Sequence, residues 1–503
     1  MRRSGVLMHI TSLPSPGGVG TLGREARAFV DFMARAGLSV WQVLPIGPTG
    51  YGESPYQSGS THAGNPMLID LPLLREEGLL DAELPESAAS PDRADFAAVR
   101  PEKERLLRLS FAQSFSRVEA QVRAFVAEQA WSPGGGRSVN WLETYALYAA
   151  IKDACGGDMW TRWPRQYQDI RRVDPAPFRR DADFYAYCQW LFFRQWRALR
   201  EYANQRGVAL FGDMPIYVAE DSADTWAEPR LFQLGKDFRP LRVAGVPPDY
   251  FCADGQRWGN PLYNWRRMRL DRFQWWLRRL HSAGELFDWL RIDHFIGFAN
   301  YYSIPASCPT AREGKWVNAP GRALFRRVER ALPDLKIVAE DLGEVGPRVR
   351  SLIDCFGYPG MKVIQFGFDS DQKNPHFPGN IVRNCVAYTG THDNDTVMGW
   401  WEKASEPVKA LAMRTLPAAA DICEAMIECV FASVADTAVV PMQDFLKLGG
   451  EARMNYPGTV GGNWLWRMRP GADDEALAAR IRALGERTGR VLPAEKEDDD
   501  DRT

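Results

Sequence analysis

Eight short apolar runs, most of them separated by stretches of helical periodicity, limit the folds open to this chain. They fall at 6–9, 40–44, 209–213, 289–293, 337–340, 362–366, 386–389 and 437–440. Hydrophobicity that is continuous rather than alternating marks strands buried on both faces, as in a parallel sheet. Eight such strands alternating with helices predict an α/β fold, the (β/α)8 TIM barrel, whose active sites lie at the C-terminal strand ends. Acidic motifs stand at those ends. Gly212-Asp213-Met214-Pro215 closes the third run, Arg291-Ile292-Asp293-His294-Phe295 the fourth, Ala339-Glu340-Asp341-Leu342-Gly343 the fifth and Gly390-Thr391-His392-Asp393-Asn394-Asp395 the seventh. Carboxylates at successive strand ends predict one acidic pocket assembled from distant parts of the chain.

The spacing between runs predicts large insertions. Residues 1–65 hold the first two strands and 206–490 the remaining six. Between them, 66–205 reads as a mainly helical subdomain. There Phe184, Tyr187, Cys188, Leu191, Phe192, Trp196 and Leu199 recur at helical spacing, so one face is buried. A second insertion, 219–275, reads as irregular, and long ordered loops of that kind are usually functional. The tail 491–503 is a charge run expected to be disordered.

Composition excludes several classes of function. Lys and Arg (62) nearly balance Asp and Glu (64), so no basic field for nucleic acid exists. Eight cysteines are scattered without a C-x-x-C pair, against a zinc site or a disulfide framework and in keeping with a reducing cytoplasm. The N-terminal apolar run is short and broken by His9, which argues against a signal peptide. No stretch approaches the roughly 20 apolar residues of a membrane span. Eighteen Trp residues raise the aromatic share to 12%. Those in Gly/Pro-rich loops suit a surface that stacks on the apolar faces of sugar rings.

A carboxylate nucleophile beside a carboxylic acid is first of all the apparatus of glycoside chemistry. Arg291 and Asp293 share a strand face, so both can point into the mouth, and the guanidinium is expected to lower the Asp293 pKa and keep it ionised. Glu340 and Asp341 are adjacent, and only one can face the mouth. Glu340 follows an apolar run and reaches farther, which makes it the better general acid. Asp341 is then a structural hydrogen-bonding residue. Asp393 and Asp395 share parity, and either could face a sugar. Their cluster could also hold an oxygen-ligated metal, but it lacks the twelve-residue loop signature. Gly18-Val19-Gly20-Thr21-Leu22-Gly23 matches a dinucleotide-binding pattern. However, residues 11–16 separate it from its strand, and the second strand has no terminal acid for a ribose. A plain glycine turn accounts for it better.

From about residue 7 to residue 466 the chain resembles the 4-α-glucanotransferases (amylomaltase, or disproportionating enzyme), a barrel family related to the α-amylases. The resemblance is carried by the 47–58 stretch from Gly47-Pro48-Thr49-Gly50 through Ser54-Pro55-Tyr56-Gln57, by His62-Ala63-Gly64-Asn65-Pro66 and by 212–222. It continues through Val246-Pro247-Pro248-Asp249-Tyr250-Phe251, the motifs around Asp293, Glu340 and Asp393, and Glu451-Ala452-Arg453-Met454-Asn455-Tyr456-Pro457-Gly458.

The resemblance implies transfer of a segment of an α-1,4-glucan to the 4-hydroxyl of another glucan or of glucose, with retention and through a covalent glycosyl-enzyme. It implies Asp293 as nucleophile, Glu340 as acid/base and Asp393 as the third carboxylate, holding sugar hydroxyls. It also implies Asp213, Arg291, His294 and His392 as contacts to the transferred glucose and Tyr56 as the ring stacked beneath it. The 247–260 loop, with Tyr250, Phe251 and Trp258, resembles a segment that covers the cleft. No cofactor or metal is implied, and no C-terminal β-sandwich domain. Maltooligosaccharides, longer α-1,4-glucans and glucose are the expected partners, with neither nucleic acid nor membrane among them. Two rivals are a hydrolase of the same fold, with water as acceptor, and a catalytically silent glucan-binding protein.

Overall fold

The computed structural model describes residues 2–84, 90–133, 138–248, 253–343, 345–369 and 371–491. Eight parallel strands form its centre: β1 (Arg3–Leu7), β2 (Val40–Gln42), β3 (Ala209–Pro215), β4 (Trp289–Asp293), β5 (Lys336–Ala339), β6 (Gly360–Val363), β7 (Cys385–Tyr388) and β8 (Thr437–Pro441). Their spatial order, β5-β4-β3-β2-β1-β8-β7-β6, follows the chain around a ring. The remaining seam, between β5 and β6, is drawn together by Ala339 N–H on Pro359 O at 2.8 Å and Met361 N–H on Asp341 Oδ1 at 2.7 Å. The fold is therefore the TIM barrel that the eight runs predict. Asp341, turned away from its neighbour Glu340, ties the seam.

Two strands end earlier than their apolar runs. After Leu7, Met8 N–H still bonds Gln42 O, but a 3-10 turn at Ile10–Ser12 then bends the chain across the mouth. After Val363 the chain enters a 3-10 segment, Ile364–Phe368. Hydrophobicity in these stretches reports burial and not strand geometry.

Between β2 and β3 run helices Phe96–Glu128, Trp141–Ala154 and Arg179–Gln205. The last of these serves two bodies. Near its start Tyr187 Oη hydrogen-bonds the hydroxyls of Ser110 and Ser114, and Arg123 pairs Asp183. Near its end Trp196 Nε1 donates to Leu286 O and Arg200 pairs Asp288, beside the barrel wall. The 219–275 stretch is more regular than its sequence predicts. Strands Arg242–Val246 and Gln256–Pro261 join Asn300–Pro305 and Lys315–Asn318 in a four-stranded antiparallel sheet. Among the described residues, the chain beyond Pro441 carries helices Met442–Phe445 and Glu475–Arg487 and no strand longer than a single bridge.

The nucleotide-like glycines serve packing. A Cβ on Gly20 would stand 1.8 Å from Ile10 O, and one on Gly23 2.1 Å from Asp70 Oδ2. A carboxylate thus occupies the helix N-terminus where a pyrophosphate would have to sit. Of the described cysteines, none is in a disulfide. No described helix is long and apolar enough to cross a membrane.

Candidate active site

The strand ends deliver their side chains to one place. On β4 the period of two puts Arg291 and Asp293 on the same face. Arg291 Nη1 contacts both oxygens of Asp213, at the end of β3, at 2.7 and 2.6 Å, and its Nη2 contacts Asp293 Oδ1 at 2.8 Å. Arg291 and Asp213 are buried, while the Asp293 side chain keeps 29% of its exposure and so faces the mouth. Tyr56, on the loop after β2, donates its hydroxyl to Asp213 Oδ2 at 2.7 Å. Tyr56 Oη also meets His392 Nε2 at 2.8 Å, and the Tyr56 and His392 rings stack with centroids 5.2 Å apart. A continuous chain of polar contacts therefore runs from β7 through Tyr56 and Asp213 to Asp293.

Glu340, one residue beyond β5, is fixed by two backbone donors: His294 N–H on Oε2 at 2.6 Å and Leu342 N–H on Oε1 at 2.7 Å. The His294 donor is available because that residue adopts a left-handed backbone (φ 51°), uncommon for a non-glycine and typical of functional sites. His294 is half-buried, its shielded Nε2 has no partner among the described residues, and desolvation pushes the ring down to about 4. Trp258 meets it edge-on, with centroids 4.8 Å apart.

Both central carboxyls are raised. Burial first, and Asp293 second, push Glu340 up to about 8, against the opposing pull of Arg291 and the two backbone donors. Asp293 also lies above the ordinary carboxylate range. Burial is the larger cause, Arg291 pulls the other way, and Asp213 and Asp393 raise it further. The expectation that Arg291 lowers Asp293 is thus corrected. The guanidinium acts in that direction, but desolvation outweighs it, because one cation is shared between two carboxylates.

Asp393 and Asp395 diverge although they share parity. Asp393 is 46% exposed and accepts from Asn455 Nδ2 at 2.6 Å. Asp395 is 8% exposed, pairs with Lys403 at 2.5 Å and accepts from Thr396 N–H. Asn394 folds back to accept from Thr391 N–H. The three side chains do not converge on a common point. Among the described residues no group of three or more His, Cys, Asp or Glu is arranged to hold a metal.

Of the residues singled out in the sequence, Tyr56, Asp213, Arg291, Asp293, His294, Glu340, His392, Asp393 and Trp258 come together here. Tyr250 and Phe251 lie outside the described residues. Sequence reasoning missed Asn455 and Arg453, although both stand in the quoted 451–458 motif; Arg453 Nη2 donates to Asp393 O at 2.6 Å. It also missed Trp464, whose ring lies 5.8 Å from Tyr56 and 6.0 Å from His392 on a left-handed backbone. No sequence signal marks that residue. Beside Trp258 a cavity of about 730 Å³ opens between the helical insertion and the 48–67 loop, with Tyr145, Tyr148, Phe184 and Tyr185 in its wall.

Comparison with known proteins shows the family. The family model for 4-alpha-glucanotransferase matches residues 8–473. The 4-alpha-glucanotransferase of Thermus thermophilus is 47% identical over 97% of this chain and 99% of that protein. Its counterpart from Synechocystis is 43% identical over 98% of each. Among solved structures, amylomaltase from Streptococcus agalactiae in complex with acarbose superposes with a TM-score of 0.92 at 39% identity, over 98% of this chain and 100% of that one. Amylomaltase from Corynebacterium glutamicum, at 20% identity, shares the fold with a TM-score of 0.74 over 97% of this chain and 75% of that one. The chain belongs to the 4-alpha-glucanotransferase family.

Proposed function

We propose that this enzyme transfers α-1,4-glucan segments by a retaining double displacement at the pocket around Arg291. Asp293 Oδ attacks the anomeric carbon while Glu340 gives its proton to the departing glycosidic oxygen. The C–O bond to the leaving glucan breaks as the glycosyl ester forms. Glu340, now a carboxylate, takes the proton of an incoming 4-hydroxyl, whose oxygen displaces Asp293 and re-forms an α-linkage. The observation that carries this reading is the pair of unlike carboxyls. Glu340 is held by two backbone N–H donors and is pushed up to about 8, so it keeps its proton at neutral pH, whereas Asp293 is the carboxyl that Arg291 grips.

The other residues take supporting roles in the same proposal. Asp393, half-exposed and oriented by Asn455, is free to accept from sugar hydroxyls. Asp213, Arg291, His294 and His392 contact the transferred glucose, and Tyr56 stacks beneath it. Trp258 borders the cleft beside His294. The cavity beside Trp258 gives a long maltooligosaccharide room to extend. A cytoplasmic setting belongs to the proposal, supported by the unpaired cysteines. So does the division into barrel segments 1–65 and 206–490 with the 66–205 insertion, which limited proteolysis checks.

Maltotriose tests the reaction. Transfer converts it into a ladder of longer and shorter oligomers plus glucose, with reducing ends constant. Hydrolysis adds one reducing end per cut. Binding without turnover leaves the trisaccharide intact, and either of the last two outcomes overturns the proposal.

A further inference from the structure

His9 breaks the first apolar run of the sequence and lies just beyond β1, where its carbonyl accepts from Ser12 N–H. Its side chain is buried, and its Nδ1 has no hydrogen-bond partner among the described residues. A buried polar nitrogen left in this way is costly, and an ordered water commonly relieves it. A cavity of about 30 Å³ adjoins the ring, walled by His9, His392, Gln443, Asp395, Asp444 and Arg453. A water requires roughly 10–15 Å³ of such space and two to four polar partners. The volume suffices, and the wall includes several polar side chains.

The state of His392 follows from its partners. Tyr56 has one hydroxyl proton and donates it to Asp213, which accepts only. The 2.8 Å contact between Tyr56 Oη and His392 Nε2 must therefore carry the imidazole proton. Nε2 also stands 3.4 Å from Asp393 Oδ1, and the tautomer that carries its proton there leaves Nδ1 as an acceptor, to which no described residue donates. Burial pushes His9 down to about 3, so His9 is uncharged and free to donate or accept. The other charged walls are committed elsewhere. Asp395 pairs with Lys403, Asp444 accepts from Thr389 Oγ1 and Val397 N–H, and Arg453 bonds Asn455 O and Asp393 O.

We propose that an ordered water in this cavity joins His9 Nδ1 to His392 Nδ1, and that His9 is a positioning residue holding His392 in the Nε2–H tautomer that anchors Tyr56. The consequence for turnover rests on the reading of Tyr56 and His392 as walls of the sugar site; the tautomer does not.

The test uses the full-length protein with nitrogen-15-labelled histidine. In the wild type, the His392 signals should show a protonated Nε2 and an acceptor Nδ1, with magnetisation transfer from a bound water. His9→Phe keeps the ring volume and removes the nitrogens. It should abolish the water contact, mix the His392 tautomers and lower kcat on maltotriose by about ten- to a hundredfold, as displaced catalytic groups do. His9→Asn, whose amide reproduces the Nδ1 position, should restore kcat to within about threefold of wild type on the same reasoning. A dry cavity in the wild type, or His392 signals unchanged in His9→Phe, overturns the proposal whatever the activity. Losses of kcat that are equal in both variants and accompany a lower Tm do the same. An unchanged kcat with altered tautomers removes the positioning role. Full activity in His392→Gln would instead show that the reading of the sugar site has failed.

Discussion

Arg291 reaches Asp293 two residues along the same strand, Nη2 to Oδ1 at 2.8 Å, while its Nη1 spans both oxygens of Asp213. A fork is required for that double grip, and lysine, a single ammonium, cannot provide it. Arg291→Lys should therefore lower kcat/KM on maltotriose by on the order of a hundredfold or more, as loss of an oriented charge-stabilising donor does. Its second signature is a pH effect. Lysine keeps the charge but cannot reach both carboxylates at once, so Asp293 loses its close cation and binds its proton more tightly, and the acid limb of the rate profile should move to higher pH. A variant profile coincident with the wild type would show that Arg291 serves stability only.

Asp293→Asn keeps the pocket shape but cannot form the glycosyl ester, so turnover should fall to near background while glucan binding, followed by calorimetry, persists. The same variant removes the second-largest cause of the raised Glu340 pKa. A carbon-13 titration of Glu340 should therefore move down from about 8. A Glu340 titration that stays in place would mean that burial alone sets it.

Glu340 also couples stability to pH. Its folded pKa, about 8, lies above the ordinary carboxylate value, so the native state binds the proton more tightly than the unfolded chain. The stability this gives is complete below the unfolded pKa and is lost as pH rises through the folded one. Glu340→Gln, which keeps a neutral amide there, should consequently gain Tm relative to wild type as pH rises from about 5 to about 8, the interval between the two values. Activity of the wild type should fall over the same alkaline limb as the acid is lost.

Asp393 and Asp395 should fail differently. Asp393→Asn leaves the fold nearly untouched, since its carboxylate is half-exposed, but should cut kcat severely. Asp395→Asn removes the partner of Lys403 from an almost buried position. It should lower Tm, while the folded fraction keeps most of its rate. The reverse pattern would assign the sugar-holding role to Asp395.

That contrast marks how far the sequence could be read. Parity placed both aspartates on one face, and only the course of the backbone after Tyr388 separates them: Asn394 folds back on Thr391, and the chain turns Asp395 toward Lys403. The barrel itself was legible because strands buried on both faces leave continuous apolar runs. The antiparallel sheet at 242–318 was not, because Arg242–Val246 and Gln256–Pro261 carry Gly, Pro and Arg without alternation and gain their burial from one another. Arg291 was correctly placed beside Asp293, but its second carboxylate, Asp213, comes from another strand, and a spacing rule cannot reveal that the charge is shared. Trp464 acts through a left-handed backbone position that nothing in its neighbours signals.

Trp258 bears on why a sugar and not water should collect the intermediate. Its indole stands edge-on to His294, whose backbone holds Glu340, and it also borders the large cavity beside the helical insertion. A ring in that position can stack on an acceptor glucose and keep the glycosyl ester dry. Trp258→Ala should accordingly lower transfer more than hydrolysis, so that reducing ends begin to accumulate from maltotriose. Replacing Tyr250 and Phe251 by Ala should shift the ratio in the same direction if they cover the cleft with it. Transfer and hydrolysis falling in parallel, together with a lower Tm, would make these aromatics packing residues and leave water exclusion to the Tyr56–Trp464 side of the pocket.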